Sequence, residues 1–189
     1  MSIRAGIIGR PNVGKSTLFN CLVGRARAIV GDFAGVTRDY KEEILNLNSG
    51  QVQLLDTAGL KSSISTTLDK TINDHTLNII NRLDIILFVI DGREGVTWED
   101  KEIFQSCRKL NKPTILVVNK VETRSIEERC SQEICFFGLA NVVYVSSEHR
   151  LGIDVLINIL DNICKENQFK FIRKDITELE NKPISLAIV

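Results

Sequence analysis

Short apolar runs alternate along the chain with longer segments whose apolar residues recur every three to four positions. The runs have the length of buried strands, and the longer segments have the spacing of amphipathic helices. This alternation predicts an α/β fold with a mostly parallel sheet and helices on both faces. The predicted strands are Ile3–Ile8, Lys41–Leu47, Val52–Asp56, Asp84–Asp91, Thr114–Asn119 and Val142–Ser146. The predicted helices are Lys15–Val23, Leu68–Arg82, Trp98–Leu110, Ser125–Leu139 and Gly152–Glu166.

The turn after the first predicted strand carries a phosphate-binding pattern. Gly9–Ser16 reads GRPNVGKS and matches G-x-x-x-x-G-K-[ST] between a strand and a helix. In that geometry backbone N–H groups point at an anion, Lys15 reaches the β- and γ-phosphates, and the Ser16 hydroxyl can ligate Mg²⁺. The alternative is a Gly-rich turn with a chance lysine. The pattern favours a P-loop NTPase, a three-layer sandwich. The expected nucleotide contacts here are Gly9, Arg10, Pro11, Asn12, Val13, Gly14, Lys15, Ser16 and Thr17.

A second pattern, Asp56-Thr57-Ala58-Gly59, follows another apolar run. An acid at the end of a buried strand suits Mg²⁺ held through a water, and the N–H of Gly59 can approach a γ-phosphate because glycine lacks a Cβ. The alternative is an aspartate that ends a strand and caps a turn. The next residue, Leu60, is apolar and cannot orient water, so we expect slow hydrolysis.

The tetrad Asn119-Lys120-Val121-Glu122 follows a later apolar run and resembles the guanine-reading N-K-x-D pattern of GTPases. An acid in the last place accepts hydrogen bonds from guanine N1–H and the 2-amino group. Adenine lacks both donors, so the tetrad favours guanine nucleotides. Glutamate keeps this chemistry but is one methylene longer than aspartate, which changes its reach. The alternative is a solvated Lys/Glu turn.

Two shorter motifs add to these signals. Ser146-Ser147-Glu148 follows the last predicted strand and resembles the S-A-K element that presents backbone N–H groups to guanine O6. Thr37 lies where GTPases carry a threonine that closes over Mg²⁺ and the γ-phosphate. A Ser-rich turn and an ordinary loop threonine are the alternatives. Ligands bind at the carboxyl ends of parallel strands, which is the edge where all these motifs except Thr37 are predicted to fall.

Composition narrows the function classes. Lys and Arg together number 24, as do Asp and Glu together, so the net charge does not indicate binding to nucleic acid or to a membrane. No apolar run reaches about 18 residues, and the P-loop follows Met1 too closely for a signal peptide, so we expect a cytoplasmic protein without a membrane partner. Five cysteines without C-x-x-C pairs favour free, buried thiols. We expect His75 and His149 to be ordinary surface residues and Trp98 to be a packing residue.

Three segments together carry a family resemblance. They are GRPNVGKSTLFN at Gly9–Asn20, GVTRD at Gly35–Asp39 and VIDGREGVT at Val89–Thr97. Over roughly residues 1–166 the chain resembles the first G domain of the Der (EngA) family, bacterial GTPases with two tandem G domains and a C-terminal KH-like domain that assist assembly of the large ribosomal subunit. Ala34 stands where the family usually has proline, and Glu122 stands where it often has aspartate.

The resemblance implies a GTP-hydrolysing switch with GTP or GDP and Mg²⁺ as cofactors, and with the ribosome or its rRNA as partner. It implies catalytic roles for Lys15, Asn12 and Thr37, and Mg²⁺ ligation by Ser16, Thr37 and Asp56. Asn12 matches the asparagine that binds K⁺ in similar GTPases, where the ion can neutralise developing charge. The alternative for Asn12 is that it only stabilises the loop turn.

Other functions stay open at this point. One is a non-catalytic module that binds GTP or GDP to regulate its neighbour. Another is a related GTPase of the Era or MnmE type, because these families share the P-loop text. A P-loop ATPase or kinase is disfavoured by Asn119-Lys120.

The domain organisation is predicted from the end of the chain. Residues 1–166 are expected to form the G domain, and the charged stretch 167–183 reads as a linker. Ile188 and Val189 match Ile7 and Ile8 before the P-loop, so 184–189 is predicted to begin the first strand of a second G domain, with the chain truncated there. The alternative is a seventh strand of the same domain.

Overall fold

A computed structural model describes residues 3–27, 41–56 and 81–166, with side chains described for all of these except 25–27. Strands and helices follow one another in the predicted order. The strands are β1 (Ile3–Ile8), β2 (Lys41–Leu47), β3 (Gly50–Asp56), β4 (Ile85–Asp91), β5 (Thr114–Asn119) and β6 (Val142–Tyr144). The helices are α1 (Lys15–Arg27), α2 (Trp98–Arg108), α3 (Arg124–Glu133), a short 3₁₀ turn (Ile134–Phe137) and α4 (Ile153–Glu166).

The six strands form one sheet in the order β2-β3-β1-β4-β5-β6. β2 pairs with β3 in antiparallel fashion, and the other neighbouring pairs are parallel. The predicted α/β fold is therefore confirmed. Because β1, β3, β4, β5 and β6 run in the same direction, their carboxyl ends meet at one edge of the sheet.

The core lies on both faces of the sheet, because alternate side chains of each strand point to opposite sides. Leu87 of β4 joins the cluster that holds Leu18 of α1 and Leu156 of α4. Its neighbour Phe88 joins the cluster on the other face, where its ring centroid lies 5.4 Å from that of Phe104 of α2. Helices thus cover both faces, as predicted.

Two predicted boundaries differ from the structure near the end of the sheet. The helix predicted over Ser125–Leu139 ends at Glu133 and tightens into the 3₁₀ turn, because Ile134 and Phe137 must both face the core and the turn ends at Gly138 with φ 59°. The strand predicted to reach Ser146 ends at Tyr144. Ser146 instead makes an isolated antiparallel bridge to Leu151.

Trp98 was predicted as a packing residue, and this is wrong, because it begins α2 with 73% of its surface exposed. The buried face of α2 is formed by residues at helical spacing that Trp98 does not share, among them Ile103 and Cys107. None of the five cysteines forms a disulfide, as expected, but the expectation that they are buried holds only for Cys107, Cys130 and Cys164. Cys21 is half-buried and Cys135 is exposed.

Several sequence predictions lie outside the described residues. These are most of the helix predicted over Leu68–Arg82, His75, the linker over 167–183 and the terminal strand over 184–189. His149 is exposed, as predicted. Within the described ranges, no helix combines the length and hydrophobicity needed to cross a membrane.

Candidate nucleotide-binding site

The octet Gly9–Ser16 joins the end of β1 to the start of α1, so the strand, loop and helix geometry of the phosphate-binding pattern is present. Asn12 and Gly14 have φ values of 64° and 92°, which lie in the left-handed region that asparagine and glycine tolerate best. A side chain at Gly14 would also collide with the amide of Asn119. The residue types at these two positions therefore favour this conformation of the loop backbone.

Lys15 arches back over the loop. Its Nζ donates hydrogen bonds to the carbonyl oxygens of Gly9 at 2.8 Å and Arg10 at 2.7 Å, and the residue is 9% exposed. Burial lowers the pKa of Lys15, and the nearby carboxylates of Asp56 and Glu99 oppose this shift without cancelling it. The result is a buried ammonium at the phosphate-binding turn, where an anion would find a poorly hydrated positive charge.

Asp56 ends β3 at the edge of the sheet where the P-loop begins. It pairs in register with Ile7 of β1 and is 2% exposed. The Ser16 hydroxyl stands on the first turn of α1 and is half-buried. Hydroxyl and carboxylate oxygens are the hard ligands that Mg²⁺ prefers, so this donor set fits the predicted metal. Thr37, Thr57, Ala58, Gly59 and Leu60 lie outside the described residues.

Asn119, at the end of β5, connects the phosphate loop to the last motif. Its Nδ2 donates to the carbonyl oxygen of Val13 at 2.9 Å. Its Oδ1 accepts hydrogen bonds from the backbone N–H of Ser147 at 3.0 Å and from the Ser147 hydroxyl at 2.9 Å. Because Asn119 is 2% exposed, this single amide holds three segments of chain in a fixed arrangement.

Lys120 makes a second connection to the P-loop, beside that of Asn119. Its Nζ lies 2.6 Å from Oδ2 of Asp91 and donates to the carbonyl oxygen of Asn12 at 2.7 Å. Burial raises the pKa of Asp91, but the Lys120 ammonium and the backbone N–H groups of Arg93 and Glu94 lower it more, so it lies below its usual range. The Asn119–Glu122 tetrad and the P-loop are thus joined by two consecutive residues, Asn119 and Lys120.

Asp91 was not among the predicted site residues. The signal for it was available, because it ends an apolar strand as Asp56 does. It also stands opposite Asn119 in the register of β4 and β5. Sequence reasoning missed it because its partner, Lys120, comes from a different strand end, and the pairing of those two strands was not known.

Arg10 has partners that the sequence pattern did not indicate. Its guanidinium lies 2.5 Å from Oε2 of Glu94 and 3.3 Å from the carboxylate of Asp100, which is fully buried. Asp100 also accepts hydrogen bonds from Thr97 in the capping box that begins α2. Burial lowers the pKa of Arg10, but the two carboxylates raise it more. The side chain therefore ties the P-loop to α2.

Glu122, the acid of the tetrad, faces two neighbouring donors. Its Oε1 accepts from the Ser146 hydroxyl at 3.3 Å and lies 3.0 Å from a terminal nitrogen of Arg93, and its Oε2 accepts from Nε of Arg93 at 3.1 Å. The neighbouring Val121 is buried, and its N–H donates to the carbonyl oxygen of Val145. The Arg93 contact was not predicted.

The Ser146-Ser147-Glu148 turn follows β6. The N–H of Ser146 donates to the carbonyl oxygen of Leu151, and the N–H of Ser147 donates to Asn119. Both groups are hydrogen-bonded within the chain, and Glu148 is exposed. A contact of this turn with guanine O6 therefore stays a prediction.

An open cleft of about 510 Å³ adjoins this end of the site. Val121 and Glu122 belong to its lining, and no P-loop residue does. The cleft therefore adjoins the Asn119–Glu122 tetrad and not the P-loop. Its lining residues are Val121, Glu122, Thr123, Arg124, Glu127, Tyr144 and Leu151.

Comparisons with known proteins agree with this geometry. Residues 4–120 match the family model described as 50S ribosome-binding GTPase. The chain is 39% identical over 189 residues to the GTPase Der of Thermotoga sp. (strain RQ2), covering 97% of this chain and 41% of that protein. It is 40% identical over 195 residues to the GTPase Der of Nitrobacter hamburgensis (strain DSM 10229 / NCIMB 13809 / X14), covering 100% and 42%.

The structural comparison gives a similar result. A crystal structure of Era in complex with MgGDPNP and nucleotides 1506-1542 of 16S ribosomal RNA matches with a TM-score of 0.64 and 29% identity. The match covers 86% of this chain and 57% of that one. The resemblance to Der predicted from the motifs is confirmed, and the chain spans about two-fifths of the length of the Der relatives.

Proposed function

This chain belongs to the family of 50S ribosome-binding GTPases, and on that premise we propose that it binds GTP and GDP with Mg²⁺ and hydrolyses GTP slowly, as a G domain of the Der type. The P-loop would hold the phosphates, and Asn119, Lys120 and Glu122 would hold the guanine base. Ser16 and Asp56 would help to hold Mg²⁺, which when bound would neutralise charge on the phosphate oxygens.

The side chain of Asn119 gives this proposal its main support. Its hydrogen bonds to Val13 of the P-loop and to Ser147 of the last turn hold a phosphate-binding segment and a base-reading segment against each other. A Gly-rich turn with a chance lysine would need no such connection. Lys120, which bonds both Asp91 and the P-loop carbonyl of Asn12, provides a second connection of the same kind.

Base preference tests the first half of the proposal. In a displacement assay with GDP, GTP, ADP and ATP, the guanine nucleotides should bind at least about tenfold more tightly, because hydrogen-bonding groups left unpaired each cost about 1–3 kcal/mol. Glu122→Ala should remove most of this preference. Lys15→Ala should weaken every nucleoside triphosphate, whereas Lys101→Ala, which removes a lysine stacked on Phe136, should weaken none. Equal displacement by ATP and GTP would refute guanine recognition.

Turnover tests the second half. Multiple turnovers of GTP that require Mg²⁺ support a GTPase, and binding without any turnover supports a non-catalytic regulatory module instead. The apolar Leu60 after the Asp56 pattern is the feature that favours slow turnover, because it cannot orient an attacking water.

A role in assembly of the large ribosomal subunit is proposed from the family description and the Der relatives. The balanced charge of this chain provides no general affinity for RNA, so further domains of the Der type, a second G domain and a KH-like domain, would contribute to that role in the cytoplasm. A protein that joins this G domain to those further domains should co-sediment with 50S subunits in the presence of GDPNP and should no longer do so with GDP. Equal sedimentation in both states would contradict a switch.

A further inference from the structure

Both oxygens of the Glu122 carboxylate are engaged by one side chain. Nε of Arg93 donates to Oε2 at 3.1 Å, and a terminal nitrogen of the same guanidinium lies 3.0 Å from Oε1. One hydrogen bond and one close N···O contact thus engage both oxygens, the side-by-side arrangement in which arginine recognises a carboxylate. The Ser146 hydroxyl approaches Oε1 as a third donor at 3.3 Å.

Guanine offers the same donor pattern as arginine. Its N1–H and 2-amino group are attached to one carbon, as the N–H groups of a guanidinium are attached to its central carbon. A carboxylate that reads guanine uses both of its oxygens along one edge to accept these two donors. Two such groups cannot occupy the same edge at once, because each needs both oxygens in the same plane.

The position of Arg93 is built into the turn after β4. Its backbone N–H donates to Oδ1 of Asp91 at 2.8 Å, and Arg129 donates to the carbonyl oxygens of Gly92 at 2.9 Å and of Arg93 itself at 2.7 Å. The backbone is therefore held, whereas the side chain of Arg93 is 54% exposed. The guanidinium can swing into solvent without displacing the turn.

We propose that Arg93 competes with guanine for the two-oxygen edge of Glu122 and thereby limits the affinity for guanine nucleotides. The inference rests on the proposed function, in which Glu122 reads guanine. An incoming guanine must displace the guanidinium, so the observed affinity is lower than the intrinsic affinity of the site. Because an exposed ion pair is weak, removing Arg93 should tighten guanine nucleotide binding by about two- to fivefold.

The test compares GDP affinity of the wild-type chain with that of Arg93→Ala by titration calorimetry. Arg108→Ala is the matched control, because it removes the same charge from an exposed side chain in the last turn of α2, outside the cleft lining. GDP should bind more tightly to Arg93→Ala, and its affinity for Arg108→Ala should be unchanged. In a Glu122→Ala background, Arg93→Ala should bring no gain, since the edge for which it competes is gone.

Each other outcome overturns the inference. Unchanged or weaker GDP binding by Arg93→Ala would mean that the guanidinium supports the site or has no effect on it. An equal gain in the Glu122→Ala background would trace the effect to something other than Glu122. A wild-type chain that binds no GDP would overturn the proposed function itself, whereas a chain that binds GDP without the predicted gain in Arg93→Ala overturns this inference alone.

Discussion

The side-chain amide of Asn119 donates to the carbonyl oxygen of Val13 across 2.9 Å, so the end of β5 is fastened to the middle of the P-loop. The other end of the same amide accepts two hydrogen bonds from Ser147. This one side chain therefore connects β5, the P-loop and the turn after β6.

Asn119→Ala should destabilise the chain even without nucleotide. The substitution leaves the buried carbonyl oxygen of Val13 and the buried N–H of Ser147 without their partner, and such unsatisfied groups cost about 1–3 kcal/mol. The free energy of unfolding, measured by urea denaturation of the nucleotide-free protein, should fall by about that amount. Asn20→Ala, an exposed position on α1, should leave it unchanged. Equal stability of the two variants would show that the Asn119 bonds contribute nothing to the fold.

Asp91 should link stability to pH. Its pKa in the folded state lies below its usual range, mainly because the Lys120 ammonium and backbone N–H groups outweigh burial. Its contribution is therefore present above the unfolded pKa of about 4 and is lost as pH falls through the lower folded pKa. Asp91→Asn should cost about 1–3 kcal/mol at pH 7, and less as the pH falls below about 4. Urea titrations at several pH values measure the difference.

Asp161 provides the matched control for this experiment. Its pKa is also lowered, because Lys165 at 2.7 Å and Ser49 outweigh the effect of burial. Asp161→Asn should therefore show the same loss of stability at neutral pH and the same recovery in acid. It lies on α4, so GDP affinity should be preserved in Asp161→Asn and reduced in Asp91→Asn. A stability difference for Asp91→Asn that does not change with pH would contradict the assigned role of Lys120.

Arg10→Ala should destabilise the fold more than Glu94→Ala does, although the two residues form one ion pair. Arg10 is buried and also neutralises the fully buried Asp100, whose charge would be left without its cationic partner. Asp100 keeps its Thr97 hydrogen bonds, so we expect a loss of about 1–3 kcal/mol. The Glu94 side chain is 57% exposed, so its removal should cost about 1 kcal/mol or less. Thermal unfolding of both variants checks the order.

The fold was predictable where local signals end an element sharply. β1 and β5 have the predicted bounds, because each apolar run stops at a polar or glycine-rich turn. The end of α3 was not predictable in the same way. Its 3₁₀ turn depends on Phe137 packing against Phe88 and Phe104 at centroid distances of 5.6 and 4.8 Å, and those partners are distant in sequence.

In the candidate site, too, some features were predictable from local sequence and others were not. Asp56, Asn119 and Ser146 could be assigned to one edge of the sheet, because each follows an apolar strand and parallel strands end together. The pairs Lys120 with Asp91 and Glu122 with Arg93 could not be foreseen, since they depend on which strands are neighbours and on their register. Strand ends are local properties of the sequence, whereas the contacts between them are properties of the assembled sheet.

Potassium should accelerate GTP hydrolysis if the side chain of Asn12 helps to hold the ion near the β- and γ-phosphates. A K⁺ ion there would supply positive charge beside the β- and γ-phosphates in addition to that of Lys15. Asn12 has φ 64°, and its carbonyl oxygen is engaged by Lys120, so its backbone is fixed and its exposed side chain is free to turn towards the site. We expect turnover to be faster in KCl than in NaCl at equal ionic strength.

Asn12→Gly is the informative variant, because glycine adopts a positive φ without strain and keeps the loop conformation while removing the side chain. It should bind GDP as the wild-type chain does and lose the difference between K⁺ and Na⁺. Asn12→Ala adds backbone strain to the same loss, so weaker GDP binding in that variant alone would separate loop geometry from ion binding. Equal rates in the two salts for the wild-type chain, or a potassium effect that survives in Asn12→Gly, would contradict potassium binding by Asn12. Its role would then be to stabilise the loop turn.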